Sequence, residues 1–116
     1  MKKSILIHNP KCSKSRGAKE LLEESKIEFI VIDYLKDGLT ADLLKDLPKL
    51  LNLSYSEMVR QKEATYIELG LKNRSLDQQE WVECLMAHPI LLERPIFIHG
   101  DKAIIARPQE LVLELL

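Results

Sequence analysis

The chain has 116 residues, 46% hydrophobic and 30% charged, with 17 lysines and arginines against 18 acidic residues and a formal net charge of −1. That suits one soluble globular domain, 1–116, with its own hydrophobic core, and it excludes the broad basic field of a nucleic-acid binder. No run approaches a membrane span, and the three consecutive apolar residues of MKKSILIHNP are too few for a signal-peptide core, so no membrane partner and a cytoplasmic location are expected.

In chain order, a short apolar strand over Ile5–His8 leads through the Asn9-Pro10 turn to a helix over Ser13–Glu24, where Ala18, Leu21 and Leu22 recur at helical spacing. A second strand follows at Phe29–Asp33. Two short apolar strands joined by a helix imply a parallel pair with a right-handed crossover. From about residue 38 to 88 the pattern turns helical, which reads as an insert. Thr40 is placed to cap a helix bearing Leu43, Leu44 and Leu47, which Pro48 should kink or end. Ser54 with Glu57 forms a capping box opening a short helix that reaches Arg60. Ser75 with Gln78 forms another, opening a helix through Trp81, Val82, Leu85 and Met86 that stops before Pro89. Between them, Leu69-Gly70-Leu71 reads as a turn or a helix C-terminus. Ile96–His99 and Ala103–Ala106 flank Gly100-Asp101 as a hairpin, and Pro108 suits the first turn of a closing helix bearing Leu111, Val112 and Leu115. The order βαβ, helical insert, ββα specifies an α/β domain on a mixed four-stranded sheet, the order of the thioredoxin-like fold with its middle expanded.

The chain has two cysteines, Cys12 and Cys84, and no CxxC pair. A disulfide framework is therefore not expected. Cys12 lies where a helix begins, so unpaired N–H groups and the positive end of the dipole favour its thiolate by up to ~2 kcal/mol. Lys11, Lys14 and Arg16 act in the same direction. An inert, half-buried cysteine is the plainer alternative. Position 15, where a CxxC partner would stand, is Ser15, so redox chemistry at Cys12 would need its second thiol from another molecule.

Three arginines accompany Cys12 as candidates: Arg60, and Arg94 and Arg107, each of which precedes a proline and so has a restricted, extended backbone. Guanidinium forks suit tetrahedral oxyanions, and a thiolate among them can attack the central atom while they spread its charge. Ordinary surface arginines are the alternative, since spacing alone does not show that residues 12, 60, 94 and 107 converge. Cys84 and His88 make at most half a zinc-ligand set; packing beside Trp81 and Leu85 is the simpler role, and no metal is expected. His8 is either a tuning group for Cys12 or a structural histidine at a strand end.

HNPKCSKSR (His8–Arg16), EATYIELGL (Glu63–Leu71), HPILLERPI (His88–Ile96) and ARPQELVLELL (Ala106–Leu116) resemble, in order and separation, the four signature stretches of the glutaredoxin-coupled, ArsC-type arsenate reductases. The resemblance spans nearly the whole chain and implies a thioredoxin-like fold with a helical insert. It assigns Cys12 as nucleophile, Arg60, Arg94 and Arg107 as the oxyanion-binding residues, His8 and Ser15 as neighbours that hold Cys12 as a thiolate, and Pro95 to the position of a cis-proline. The implied chemistry begins with attack of Cys12 on arsenate or a similar oxyanion. Glutathione, a co-substrate rather than a bound cofactor, then adds; As(V) becomes As(III), and glutaredoxin clears the resulting mixed disulfide. Longer members continue with a C-terminal tail, so product release or partner docking is expected to differ here. Two other readings share the fold: an Spx-type regulator that binds RNA polymerase, against which Ser15 counts, and a thiol-dependent reductase of another substrate.

Overall fold

A computed structural model describes residues 3–116. The chain forms two compact units, one comprising the residues up to Asp37 together with Arg94–Leu116, the other Gly38–Glu93. In the first unit the strands are β1 (Ser4–His8), β2 (Ile30–Asp33), β3 (Ile96–His99) and β4 (Lys102–Ile105), in the sheet order β2-β1-β3-β4. β1 runs parallel to β2 and antiparallel to β3, and β3 runs antiparallel to β4. Helix α1 (Ser13–Glu24) links the parallel pair, and a short helix α2 (Tyr34–Asp37) follows β2. This mixed sheet with its βαβ and ββ halves is the thioredoxin-like arrangement.

The period of two along the strands decides which residues meet α1. Leu6 pairs with Phe97, and Phe97 with Ile104, so the three share one face. On that face Leu6, Phe97, Ala18, Leu22, Ala106 and Val112 form a fully buried cluster, flanked by Leu21, Ile27, Phe29, Ile104 and Leu115. Ile7, Ile96 and Ile98 are buried on the opposite face. In the loop between β3 and β4, Gly100 adopts φ +67°, a left-handed conformation that glycine takes without steric cost.

The closing segment departs from expectation. It is a 3-10 helix over Gln109–Leu115, and Pro108 precedes it in extended conformation instead of occupying its first turn. Its packing against the sheet is as read, with Val112 buried. Gly17 on α1 leaves room for the Gln109 side chain, which a Cβ at that position would strike.

The second unit holds α3 (Ala41–Leu51), α4 (Ala64–Glu68) and α5 (Gln78–Ala87), with 3-10 turns at Tyr55–Met58, Leu71–Asn73 and Pro89–Leu91. Thr40 caps α3 by accepting the Leu43 N–H at 3.2 Å. Pro48 does not end this helix, which runs on to Leu51. A proline cannot donate to the carbonyl four residues back, here Leu44. That carbonyl instead accepts the Tyr55 hydroxyl at 2.8 Å, so the helix passes the proline without leaving a buried acceptor unpaired.

Ser54 opens its turn as read, its N–H held by Glu57 Oε1 at 3.0 Å. The turn ends at Met58, short of Arg60. Beyond it, Val59 bridges to Leu92, and the Arg60 N–H donates to the Leu91 carbonyl at 2.7 Å, an extended pairing that excludes helix. α4 is closed by Gly70 at φ +64°. The cap of α5 is not Ser75 with Gln78 but Asp77 with Glu80, each side chain accepting the other's backbone N–H at 2.8 and 3.1 Å. Both pairs have the required spacing, and a carboxylate is the better acceptor at the positive end of a helix. Trp81, Val82 and Leu85 are buried on α5, whereas Met86 is exposed. Among the described residues no helix is long and apolar enough to cross a membrane.

Candidate active site

Cys12 stands between the end of β1 and the first residue of α1, as its N-cap. The turn before it is tied down closely. Its N–H donates to the Asn9 carbonyl at 2.9 Å, and the Lys11 N–H to Asn9 Oδ1 at 3.0 Å. The Asn9 N–H donates to the buried Ser15 Oγ at 3.1 Å, and Arg16 Nη1 to the Pro10 carbonyl at 2.9 Å.

The register of the sheet carries two arginines to the same place. Ile7 of β1 pairs with Ile96, and Ile96 with Ile105. Arg94, two residues before Ile96, and Arg107, two residues after Ile105, therefore lie at the end of the sheet from which the Cys12 turn departs. Arg107 Nη2 lies 3.4 Å from Cys12 Sγ, while its Nε donates to the Arg94 carbonyl at 2.8 Å. Arg94 turns Nε and Nη1 inward, where neither finds a hydrogen-bond acceptor among the described residues. The Arg94-Pro95 and Arg107-Pro108 peptides are both cis; only the first was expected.

The thiol of Cys12 is more acidic than an ordinary one. Partial burial raises its pKa, but the backbone amides of Ser15 and Lys14 and the Arg107 guanidinium lower it by more. The amides act at close range without forming an ordinary side-chain cap on the helix. Ser15 thus serves twice, its N–H favouring the thiolate and its hydroxyl holding Asn9. No hydrogen bond joins His8 to Cys12 among the described residues. His8 is buried at the end of β1, and its pKa is lowered, chiefly by that burial and then by Lys19.

Arg60 belongs to the Gly38–Glu93 unit. There its Nη1 bonds Glu63 Oε2 at 2.9 Å, and its Nε lies 3.6 Å from Glu93 Oε1. Cys84, in the same unit, has its pKa raised by burial, with Arg74 pulling less strongly the other way. Among the described residues no group of three or more His, Cys, Asp or Glu side chains is placed to hold a metal ion. The hydrogen bonds of Asn9 had only an indirect signal in the sequence, an asparagine before proline three residues ahead of the cysteine.

Fold and site together define a thioredoxin-like domain with a single activated cysteine at the start of α1 and two arginines at the same end of its sheet. The chain belongs to the ArsC family, whose sequence profile matches residues 7–115. It is 42% identical to the arsenate reductase of Haemophilus influenzae, over 97% of each chain. It is 44% identical to the uncharacterized protein YfgD of Escherichia coli K12, over 99% of this chain and 98% of that one. The solved structure of the arsenate reductase from Vibrio cholerae matches it with a TM-score of 0.92 at 40% identity, covering 98% of both.

Proposed function

We propose that this protein is an arsenate reductase that uses glutathione and glutaredoxin as its reductants. The observation that supports this reading best is the pair of buried Arg94 nitrogens, Nε and Nη1, that lack an acceptor. A buried donor left unpaired costs about 1–3 kcal/mol, more for a charged group, and an oxyanion supplies the acceptors it lacks. The approach of Arg107 Nη2 to Cys12 Sγ at 3.4 Å supports a role for this arginine beside both the nucleophile and its anion. Relatives called arsenate reductases, alike over nearly their whole length, support the choice of anion.

In the proposed cycle the Cys12 thiolate attacks As(V), an S–As bond forms, and an oxygen leaves as water. Glutathione then attacks the Cys12 sulfur. The S–As bond breaks with its electron pair on arsenic, which leaves as arsenite, while Cys12 and glutathione become a mixed disulfide. Two thiols thus supply the two electrons, and glutaredoxin regenerates Cys12 by thiol–disulfide exchange. The lone thiol of the Cys12 turn suits a borrowed partner.

The test is arsenate-dependent NADPH consumption coupled through glutathione reductase, glutathione and glutaredoxin. A rate no higher than that of Cys12→Ser overturns the reading. Arg94→Ala should lower kcat/KM for arsenate by about 10²-fold or more, the size of effect seen when one oxyanion donor is removed. It should leave the alkylation pH profile of Cys12 unmoved, whereas Arg107→Ala should disturb both.

A further inference from the structure

We propose that Asn9 is a positioning residue for Cys12, setting through its side chain, amide and carbonyl the turn that seats the sulfur at the start of α1. Ordinary helix starts are set by Ser, Thr, Asp or Asn at the N-cap, whose oxygen holds an N–H of the first turn. Here the N-cap is Cys12, whose sulfur faces the Ser15 and Lys14 amides but forms no ordinary side-chain cap. A thiol is a poor acceptor, and a sulfur engaged as a cap would be less available to attack. The entry to α1 therefore draws support from the turn before the helix.

Asn9 does this by three hydrogen bonds. Its carbonyl accepts the Cys12 N–H, closing a four-residue turn with Pro10 second, where its fixed φ suits the turn. Its Oδ1 accepts the Lys11 N–H, so the side chain braces the turn from within. Its own N–H donates to Ser15 Oγ, six residues on. The first and last of these bonds use the backbone and are open to many residues at position 9; the Oδ1 bond requires a short side chain with an acceptor. Asn9 is buried, with 6% of its surface exposed, so water is a poor substitute for that acceptor. The arrangement is coupled, because Ser15 both accepts from Asn9 and presents its N–H toward Cys12 Sγ. Loosening the turn draws the sulfur away from the amides and Arg107 that favour its ionised form.

The inference rests on Cys12 as the nucleophile, and its test needs no arsenate. In a Cys84→Ser background, the rate of iodoacetamide alkylation of Cys12 is followed against pH. Asn9→Ala should shift the midpoint upward, toward the free-thiol value of about 8.5, with several-fold slower alkylation at neutral pH. Asn9→Ser, which keeps a short acceptor, should recover part of the shift. A folded Asn9→Ala protein, judged by circular dichroism, with an unchanged midpoint overturns the inference while leaving the nucleophile reading intact. A midpoint near the free-thiol value in the protein with Asn9 in place overturns both. If Asn9→Ala does not fold, Asn9→Leu, close in volume but without an acceptor, is read in its place: the same upward shift is expected, and no shift overturns the inference.

Discussion

The two thiols of this chain are chemically alike and are driven in opposite directions. Burial raises both pKa values; at Cys84 it prevails over Arg74, whereas at Cys12 the first amides of α1 and Arg107 prevail over it. Cys12 is thus distinguished from Cys84 by directed N–H groups, not by exposure. The other titrating residue of the turn region, His8, makes a prediction about stability. Burial first, then Lys19, lowers its pKa in the folded chain, against the smaller opposing pull of Asp33. Between that lowered value and about 6.5 the unfolded chain binds more protons than the folded one. His8 therefore contributes its full stability above about pH 6.5, and that contribution is lost as the pH falls through the folded value. Urea unfolding at pH 7.5 and pH 5 should show His8→Gln losing less stability over the interval than the unsubstituted chain. Equal losses would remove His8 as the cause. The place of Cys12 before a helix was legible in the sequence, as were the restricted backbones of Arg94 and Arg107 from the prolines after them. Whether Arg107 reached the cysteine was not, because no local rule relates residues 95 positions apart.

Helices and turns of the second unit were legible in kind and misjudged at their ends. Asp77 displaced Ser75 because both pairs fit the spacing and the stronger acceptor won. The short turn at Ser54 stopped before Arg60 because the backbone there pairs with Leu91. Pro48 is the most instructive, since the local rule was sound and a distant side chain cancelled it. Tyr55 Oη supplies the donor that Pro48 lacks at the Leu44 carbonyl, and the Tyr55 ring stacks on Trp81 with centroids 6.1 Å apart. Tyr55→Phe keeps the ring and removes the donor, so it should destabilise by about 1–3 kcal/mol in chemical denaturation. Pro48→Ala restores an N–H for Leu44, so Tyr55→Phe should cost measurably less in that background. A double-mutant cycle that closes without coupling would show that the hydroxyl and the proline act independently.

At the scale of the molecule, the sheet is what gives the site its geometry, and the core beneath α1 is what holds the sheet. Phe97 pairs with Leu6 and Ile104 and is fully buried in the cluster with Leu22 and Val112. Phe97→Ala should cost about 3–5 kcal/mol in urea unfolding, through lost burial and the cavity it leaves. A loss below ~1 kcal/mol would mean that the cluster collapses around the gap or contributes little. The strands, the crossover helix and the hairpin are local consequences of apolar periodicity, proline, glycine and capping residues, so the sequence alone determined the α/β order and the thiol at a helix start. It could not determine that Arg107 lies 3.4 Å from Cys12 Sγ, or that Arg94 turns two unpaired nitrogens inward. Those facts depend on β1 pairing with β3 and β3 with β4 in one register, a choice made by the buried faces of the sheet, and only the tertiary structure decides it.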